Sequence, residues 1–288
     1  MNHQLLAHLS DILQEEAIRY MPVSGGDISQ AFLLETKDLR VFLKVEEGEH
    51  ALEMFEAERS GLDAISATQT IRTPSIHHCG SFHNSALLLM EYIEAKQPDS
   101  TDFERLGSQL AALHQSGSEQ FGWEKNNFIG RLPQQNTWTS DWLAFYVGQR
   151  LTPQFAMAKE KGLLSAKDIP QKETMLKSLD DVLKGISPSL IHGDLWSGNY
   201  LIAMNGDPYI IDPAVYYGHS EMDLAMSRLF GGFGNRFYTA YAESLPENPG
   251  TAERNEIYQL YYLLVHLNLF GASYRPAVMR TVKRYFPA

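Results

Sequence analysis

Two short polar stretches of this sequence carry the side chains best suited to chemistry. The first, residues 192–199, holds Asp194 and, five residues later, Asn199, and it lies between two short apolar runs. An aspartate in such a loop can accept the proton of an attacking hydroxyl, and an asparagine can hold a magnesium ion. The second stretch is β-rich and ends in Asp212, where a carboxylate can bridge magnesium to phosphate groups. Together the two stretches indicate phosphoryl transfer to an alcohol.

The spacing of the first stretch matches the kinase catalytic loop H-R-D-x-x-x-x-N, with Gly193 where that motif has arginine. A histidine–glycine–aspartate triplet alone can arise by chance, and a loop aspartate is more often a turn residue or a helix cap. The asparagine at the right offset, the apolar runs on both sides and the second aspartate make that simpler explanation weaker. The pattern therefore favours a kinase that uses ATP and magnesium.

The N-terminal part of the chain supplies the elements that would position a nucleotide. Apolar spacing predicts an opening helix over residues 3–17 and a second helix over 50–65. Between and after them it predicts strands over 20–23, 31–36, 39–45, 77–82 and 86–90. Strand, glycine turn, strand, strand is the order expected for the smaller half of a kinase-like fold.

Four residues of this part have predicted phosphate contacts. Gly25 and Gly26 lie in the first turn, where glycine would let backbone N–H groups approach the phosphates, although a glycine pair also makes an ordinary hairpin turn. Ser29 could add a hydroxyl group. Lys44 lies within an apolar strand and fits the lysine that pairs with the α- and β-phosphates, whereas a surface lysine on an edge strand is the alternative.

Lys44 would need a carboxylate partner, and the helix over 50–65 offers Glu56 and Glu58. Spacing alone does not choose between them. After the strand over 86–90 comes the segment whose backbone binds adenine in the kinase-like arrangement, and it consists of Glu91, Tyr92 and Ile93.

Polar residues 94–98, which include a proline, mark a predicted lobe boundary. We expect an ATP-binding lobe over 1–93 and a larger, mainly helical lobe with the catalytic and substrate-binding residues over 94–288. A capping box over 101–104 predicts the first helix of the second lobe. The expected fold class is α+β, a bilobal protein-kinase-like fold with a small antiparallel β lobe.

The net charge of −11 argues against nucleic acid as a partner, because a phosphate backbone requires a basic surface. It does not argue against ATP, which a few local cations and backbone N–H groups can hold. The first twenty residues lack a basic segment, and no apolar run is long enough to span a membrane, so neither a signal peptide nor a membrane anchor is expected. A single cysteine, Cys79, fits a reducing cytoplasm. The oligomeric state is not predicted.

Longer runs carry a narrower resemblance. The run H-G-D-L-W-S-G-N over 192–199 and the run I-D-P-A-V-Y-Y-G over 211–218 resemble the fructosamine kinase (ketosamine 3-kinase) family, which belongs to the aminoglycoside phosphotransferase-like and protein-kinase-like group. Residues 121–142, 229–233 and 266–271 extend the likeness over nearly the whole chain.

This resemblance implies ATP-dependent phosphorylation of the C3 hydroxyl of a ketosamine, a sugar adduct of a small amine or a protein lysine. The resulting phosphate ester is unstable and releases the amine, which amounts to deglycation repair. The resemblance assigns the role of Lys44 partner to Glu58. It also assigns four residues to the substrate: Trp196, Tyr216, Glu221 and Asp223. For Asp223, bracing of the catalytic loop is the favoured role.

Three alternatives remain open on sequence. The acceptor could be another alcohol, such as an aminoglycoside, choline or a homoserine-like compound. The chain could also be a pseudokinase that binds nucleotide without catalysis, although Lys44, Asp194 and Asp212 are all present. Finally, a structural or interaction protein could keep the fold alone.

Overall fold

The structure is a computed structural model that describes residues 3–16, 19–23 and 29–287. Five strands form one antiparallel sheet in the order β1-β2-β3-β5-β4. They are β1 (Arg19–Pro22), β2 (Gln30–Glu35), β3 (Arg40–Glu47), β4 (Ile76–Phe82) and β5 (Ser85–Glu91). The five predicted strands are thus confirmed to within a few residues. The predicted phosphate contacts of Gly25 and Gly26 lie outside the described residues.

The sheet is covered on both faces because β5, an interior strand, is apolar on both. Alternate β5 side chains point to opposite faces, so Leu87 and Leu89 pack with Leu9 of helix α1 (His3–Leu13). The alternate residues Ala86, Leu88 and Met90 pack instead with helix α2 (Ala51–Ala67). Lys44 is the cross-strand partner of Leu88. Its side chain therefore points to the α2 face of the sheet.

After β5 the chain becomes mainly helical, as expected for this fold class. Helix α3 (Ser100–His114) leads to the hairpin of β6 (Asn127–Ile129) and β7 (Leu132–Gln134). Helix α4 (Trp142–Phe145) continues through a π-helical turn, Tyr146–Leu151, into α5 (Thr152–Glu160). The remaining helices are α6 (Lys172–Leu183), α7 (Glu221–Leu229), α8 (Asn235–Ser244), α9 (Thr251–Phe270) and α10 (Arg275–Tyr285).

Four short strands in this part frame the predicted catalytic loop. Strand β8 (Ser189–Ile191) enters the loop and β9 (Tyr200–Ile202) leaves it. Strand β9 pairs with β10 (Pro208–Ile210), and β8 pairs with β11 (Tyr216–Gly218). These two pairings bring residues 192–199 beside residues 211–215. Within the described ranges, no helix is both long and apolar enough to cross a membrane.

The start of α3 differs from the predicted capping box. The cap is Asp99, whose carboxylate accepts hydrogen bonds from the backbone N–H groups of Thr101 and Asp102. Asp102 closes the box by accepting from the backbone N–H of Asp99 at 2.9 Å. The prediction over 101–104 was wrong because a carboxylate two residues earlier satisfies the free N–H groups at this end.

Helix α3 crosses α8 at Gly107, where a Cβ would lie 2.3 Å from the carbonyl oxygen of Phe237. Gly107→Ala should therefore push the helices apart and lower the free energy of unfolding by about 1–3 kcal/mol. Gly148→Ala is the matched control, since no atom lies within 4 Å of its Cβ position. It should be neutral or stabilising, because alanine favours helix over glycine. Urea denaturation compares the two, and equal stabilities would contradict the packing described.

Candidate active site

A cavity of about 1400 Å³ lies between the sheet and the helical part of the chain. Most residues predicted from sequence to act in catalysis or nucleotide binding line it. From the N-terminal part these are Ser29, Lys44, Glu58, Glu91, Tyr92 and Ile93, and from the C-terminal part they are Asp194, Trp196, Asn199 and Asp212. Residues 150 or more positions apart in sequence thus share one cavity.

Lys44 is held between two carboxylates. Its Nζ donates to Glu58 Oε1 at 2.7 Å and also to Asp212 Oδ1. Burial disfavours the charged lysine, but the charges of Asp212 and Glu58 outweigh burial and hold the pKa of Lys44 above its ordinary value. The structure selects Glu58 over Glu56, a choice that sequence spacing left open.

The two carboxylates respond differently to this shared cation. At Asp212 burial would raise the pKa, but Lys44 outweighs burial and lowers it, so this carboxylate is ionised. At Glu58 burial outweighs Lys44 and raises the pKa to about 7. Lys44 therefore binds Asp212, the residue that sequence analysis assigned to the metal, as well as Glu58.

Asp194 has no cationic partner in the described part of the site. Asn199 Nδ2 donates to the backbone oxygen of Asp194 at 2.8 Å and approaches its Oδ2 at 3.3 Å. Burial, followed by the negative charges of Asp212 and Asp223, raises the pKa of Asp194 to about 7. A general base works best with a pKa near the working pH, so this environment suits proton acceptance.

The loop that carries Asp194 is anchored by Asp223, whose side chain has no exposed surface. Its carboxylate accepts hydrogen bonds from the backbone N–H groups of His192 at 2.7 Å and Gly193 at 2.8 Å. His114 Nε2 donates to the same carboxylate at 3.0 Å. Asp223 therefore lies behind the loop, as the bracing role predicts.

Gly193 replaces the arginine of the kinase motif for a steric reason. Its φ of +84° lies in the left-handed region, and a Cβ would stand 2.1 Å from the carbonyl oxygen of Ala214. Next to it, His192 Nδ1 accepts from the backbone N–H of Asp194 at 3.2 Å, and Nε2 donates to the carbonyl of Ile211 at 2.8 Å. His192 is therefore neutral, and burial lowers its pKa.

The side of the cavity next to β5 suits a flat apolar ring. Phe42 and Met90 line it from the sheet, and Leu201 and Ile211 line it from the opposite side. The backbone N–H of Glu91 already donates to the carbonyl of Ser75 at 2.8 Å. Glu91 thus fixes this edge of the cavity, and the exposed edge continues along Tyr92 and Ile93.

The opposite end of the cavity is aromatic. It is lined by Phe230, His266, Phe270 and Tyr274, and Trp196 also lines the cavity. The His266 ring lies 4.5 Å from Phe230, 5.4 Å from Phe270 and 5.2 Å from Tyr274 between centroids. Phe270 is 52% exposed, so this end opens to solvent.

Three of the four residues assigned to the substrate by resemblance are not among the cavity-lining residues. Tyr216 is fully buried, and the guanidinium carbon of Arg150 lies 3.9 Å from the centroid of the Tyr216 ring. Glu221 makes a two-pronged ion pair with Arg254 at 2.7 Å. Asp223 is occupied by the loop, as described above. Trp196 is the one that lines the cavity.

Asn199 and Asp212 fit a magnesium ion in chemical type. Magnesium prefers oxygen ligands, often one or two from the protein with phosphates and waters completing the set. Asn199 uses its Nδ2 group in hydrogen bonding, which leaves its amide oxygen, and Asp212 has a second carboxylate oxygen beyond the one bound to Lys44. Among the described residues no group of three or more His, Cys, Asp or Glu side chains could hold a metal by itself.

Sequence reasoning missed two supports of the loop. His114 contacts Asp223, and the Tyr262 hydroxyl donates to the carbonyl of Gly193 at 3.1 Å. Both contacts are distant in sequence: His114 is 109 residues from Asp223, and Tyr262 is 69 residues from Gly193. No local pattern marks them.

An antiparallel sheet that presents a buried lysine–glutamate pair to an aspartate-bearing loop, followed by a helical half, is the arrangement of the kinase-like phosphotransferases. Enzymes of this class transfer a phosphoryl group from ATP to a hydroxyl.

Comparison with known proteins narrows the class. The sequence model of the fructosamine kinase family matches residues 1–287. A probable ketoamine kinase of Synechocystis is 41% identical over 91% of this chain and 88% of its own. The chloroplastic protein-ribulosamine 3-kinase of Arabidopsis thaliana is 40% identical over 91% and 81%. A crystal structure from Thermobifida fusca, provisionally named fructosamine-3-kinase, superposes with a TM-score of 0.87 at 32% identity, with both chains fully covered. The chain belongs to the fructosamine kinase family and is an ATP-dependent kinase.

Asp194→Asn should make the protein more stable at pH 8. With a folded pKa of about 7, above the value of about 4 in an unfolded chain, Asp194 lowers stability progressively as pH rises between these values. The neutral amide avoids this cost, so the gain in melting temperature should be small at pH 5 and full at pH 8. Thermal unfolding at both pH values tests it, and a gain that does not depend on pH would contradict the pKa assignment.

Asp223→Asn should lower turnover while leaving ATP affinity unchanged, because one backbone N–H of the loop would face an amide NH₂ instead of an oxygen. We expect a loss of about tenfold or more in kcat, by analogy with residues that orient metal ligands. Asp102→Asn is the matched control, since Asp102 is a buried carboxylate that caps α3 away from the cavity. Measurements of turnover and of ATP binding by calorimetry on both variants separate bracing of the loop from general destabilisation. Equal turnover in the two variants would contradict the bracing role of Asp223.

Proposed function

We propose that this kinase phosphorylates the C3 hydroxyl of ketosamines, the fructosamine or ribulosamine adducts of small amines and of protein lysines. The observation that carries the proposal is the position of Asp194, which lies in one cavity with the lysine–glutamate pair on one side and Trp196 on the other. Relatives named for this chemistry support the choice of acceptor: the Arabidopsis protein-ribulosamine 3-kinase and the mouse ketosamine-3-kinase, which is 35% identical. Spontaneous loss of the 3-phosphate would then free the amine, so the role would be repair of glycated molecules.

In this mechanism Asp194 orients the acceptor hydroxyl and takes its proton as the new bond forms. Asn199 holds the loop carbonyl of Asp194 through its amide nitrogen and keeps its amide oxygen for the metal. Asp212 is the second metal residue. Magnesium, when bound by these two side chains, neutralises charge on the phosphates of ATP.

On the nucleotide side, Lys44 contacts the α- and β-phosphates, and Glu58 keeps the lysine in place. Ser29, which lines the cavity, contributes a hydroxyl group to the phosphates. Residues 91–93 receive the adenine. Residues 1–93 thus form the ATP-binding lobe and residues 94–288 the catalytic lobe.

On the acceptor side, the Trp196 face offers a surface on which a sugar can stack, and the aromatic group around His266 offers faces to the amine-bearing part. A ketosamine nitrogen is cationic near neutral pH, and cations bind well over aromatic faces. The open end near Phe270 would admit an adduct that remains attached to a larger molecule.

The proposal predicts ATP consumption with ribulosyl-lysine or fructosyl-lysine and little with choline or an aminoglycoside. Asp194→Ala should lose most of this turnover, because no other described side chain is placed to accept the proton, and it should keep ATP binding. A coupled assay of ADP release with purified protein measures turnover, and calorimetry measures ATP binding.

Each contrary outcome has a distinct meaning. Turnover on choline or an aminoglycoside alone would keep the mechanism and overturn the acceptor. Unaltered turnover in Asp194→Ala would remove the central role of that residue. ATP binding without turnover on any acceptor would favour a pseudokinase.

A further inference from the structure

Asp212 has a backbone conformation that residues with side chains seldom adopt. Its φ is +56°, in the left-handed region that side-chain-bearing residues adopt only at a cost of order 1 kcal/mol or more. Such a conformation persists where the surrounding structure fixes it. The question is therefore what holds the segment around Asp212.

The catalytic loop holds this segment from one side. The backbone N–H of Ile211 donates to the carbonyl of Asn199 at 3.0 Å, and the carbonyl of Ile211 accepts from His192 at 2.8 Å. The backbone N–H of Ala214 donates to the carbonyl of His192 at 2.8 Å. These bonds do not involve the carbonyl groups of Ala214 and Val215.

Three buried amide side chains, Asn127, Gln134 and Asn136, form a network at those two carbonyl groups, and we refer to them as the amide cluster. None is more than 6% exposed. Asn127 Nδ2 donates to the carbonyl of Val215 at 2.8 Å, and Gln134 Nε2 donates to the carbonyl of Ala214 at 3.1 Å. Asn127 Oδ1 accepts from Gln134 at 2.8 Å and from Asn136 at 2.7 Å, which joins the three into one network.

The orientation of the cluster is set from outside by two buried side chains. The Tyr261 hydroxyl donates to Gln134 Oε1 at 2.7 Å, and an Arg150 NH₂ group donates to Asn136 Oδ1 at 2.7 Å. These donors determine which end of each amide is oxygen. Both donors are on helices of the C-terminal part. The cluster therefore connects that helical framework to the backbone after Asp212.

The hairpin that carries Asn127 and Gln134 also reaches the sheet. Near its tip, Arg131 donates to Glu46 Oε1 at 2.7 Å, and Glu46 is two residues after Lys44 on β3. One hairpin thus contacts the strand of the lysine and the segment of the aspartate that share the ion pair described above.

We infer that the amide cluster is a positioning element that sets the carboxylate of Asp212 for magnesium–ATP. The inference rests on the proposed magnesium role of Asp212. Residues that orient a metal ligand from behind typically change metal affinity or activity 10–100-fold when they are replaced. A cluster that only stabilised the fold would change stability and leave the effect of magnesium on ATP binding intact.

The test compares Gln134→Met with Gln154→Met. Methionine keeps the length of the side chain and removes its polar group, and both glutamines are 2% exposed. Gln154 accepts from Asn268 Nδ2 at 2.8 Å and is not among the residues that line the cavity. The control therefore loses a buried amide without touching the segment around Asp212.

The primary readout is the ratio of ATP dissociation constants without and with magnesium, measured by calorimetry in EDTA and in excess Mg²⁺. Gln134→Met should reduce this ratio by about tenfold or more, with the metal-free affinity little changed. Gln154→Met should keep the wild-type ratio. A second readout needs no ligand: hydrogen exchange at the Ala214 amide should be faster in Gln134→Met than in the wild type or the control.

Tyr261→Phe is the milder second variant, since it removes only the hydroxyl that orients Gln134, and it should shift both readouts in the same direction by a smaller factor. If Gln134→Met and Tyr261→Phe both show the same ratio of dissociation constants as Gln154→Met, the inference is overturned. If Gln134→Met does not fold, the result for Tyr261→Phe decides alone. A wild-type ATP affinity that magnesium does not change would overturn the metal assignment and this inference with it. That second failure is visible before any variant is made.

Discussion

Four carboxylates gather within and just behind one cavity, and the rest of the structure depends on how their mutual repulsion is offset. Asp212 is neutralised by Lys44, and Glu58 shares the same cation from its other side. The negative charge of Asp223 is stabilised by hydrogen bonds from backbone N–H groups and from His114. Asp194 has no cationic partner among the described residues. The pKa of Asp194 rises to about 7, as does that of Glu58, but Glu58 is bound to Lys44 whereas Asp194 has no cation beside it.

Each of these carboxylates belongs to a different element, so their spacing is a property of the fold. Glu58 is on α2, Asp223 on α7, Asp194 on the loop after β8 and Asp212 after β10. Close backbone contacts keep the distances short: Gly193 lies against the carbonyl of Ala214, and β8 pairs with β11 just beyond. A side chain at position 193 would separate the two aspartates, which makes glycine a requirement of the site.

Local patterns predicted the parts of this molecule that depend on local physics. The strands of the sheet, the loop at 192–199 and the aspartate after β10 follow from apolar periodicity and motif spacing. The helix start at Asp99 was misplaced by two residues, because two nearby residues were both good caps. The contacts of Asp223 with His114 and of Gln134 with Ala214 join residues 109 and 80 positions apart. Only the tertiary fold brings such pairs together. Similarly, the resemblance assigned Tyr216 and Glu221 to the substrate, whereas their contacts are with Arg150 and Arg254 in the protein interior.

In the proposed mechanism, the neutral state of His192 limits where the proton taken up by Asp194 can go. One ring nitrogen already accepts from the Asp194 backbone and the other already donates to Ile211, so the imidazole next to the base has no site left to relay a proton inward. The amide of Asn199, the other polar neighbour, does not titrate. Among the described residues the exit that remains for this proton is outward through the cavity mouth, to solvent or to the departing product. In the proposed mechanism the proton would therefore leave by the open side of the cavity, and it would do so once in each turnover.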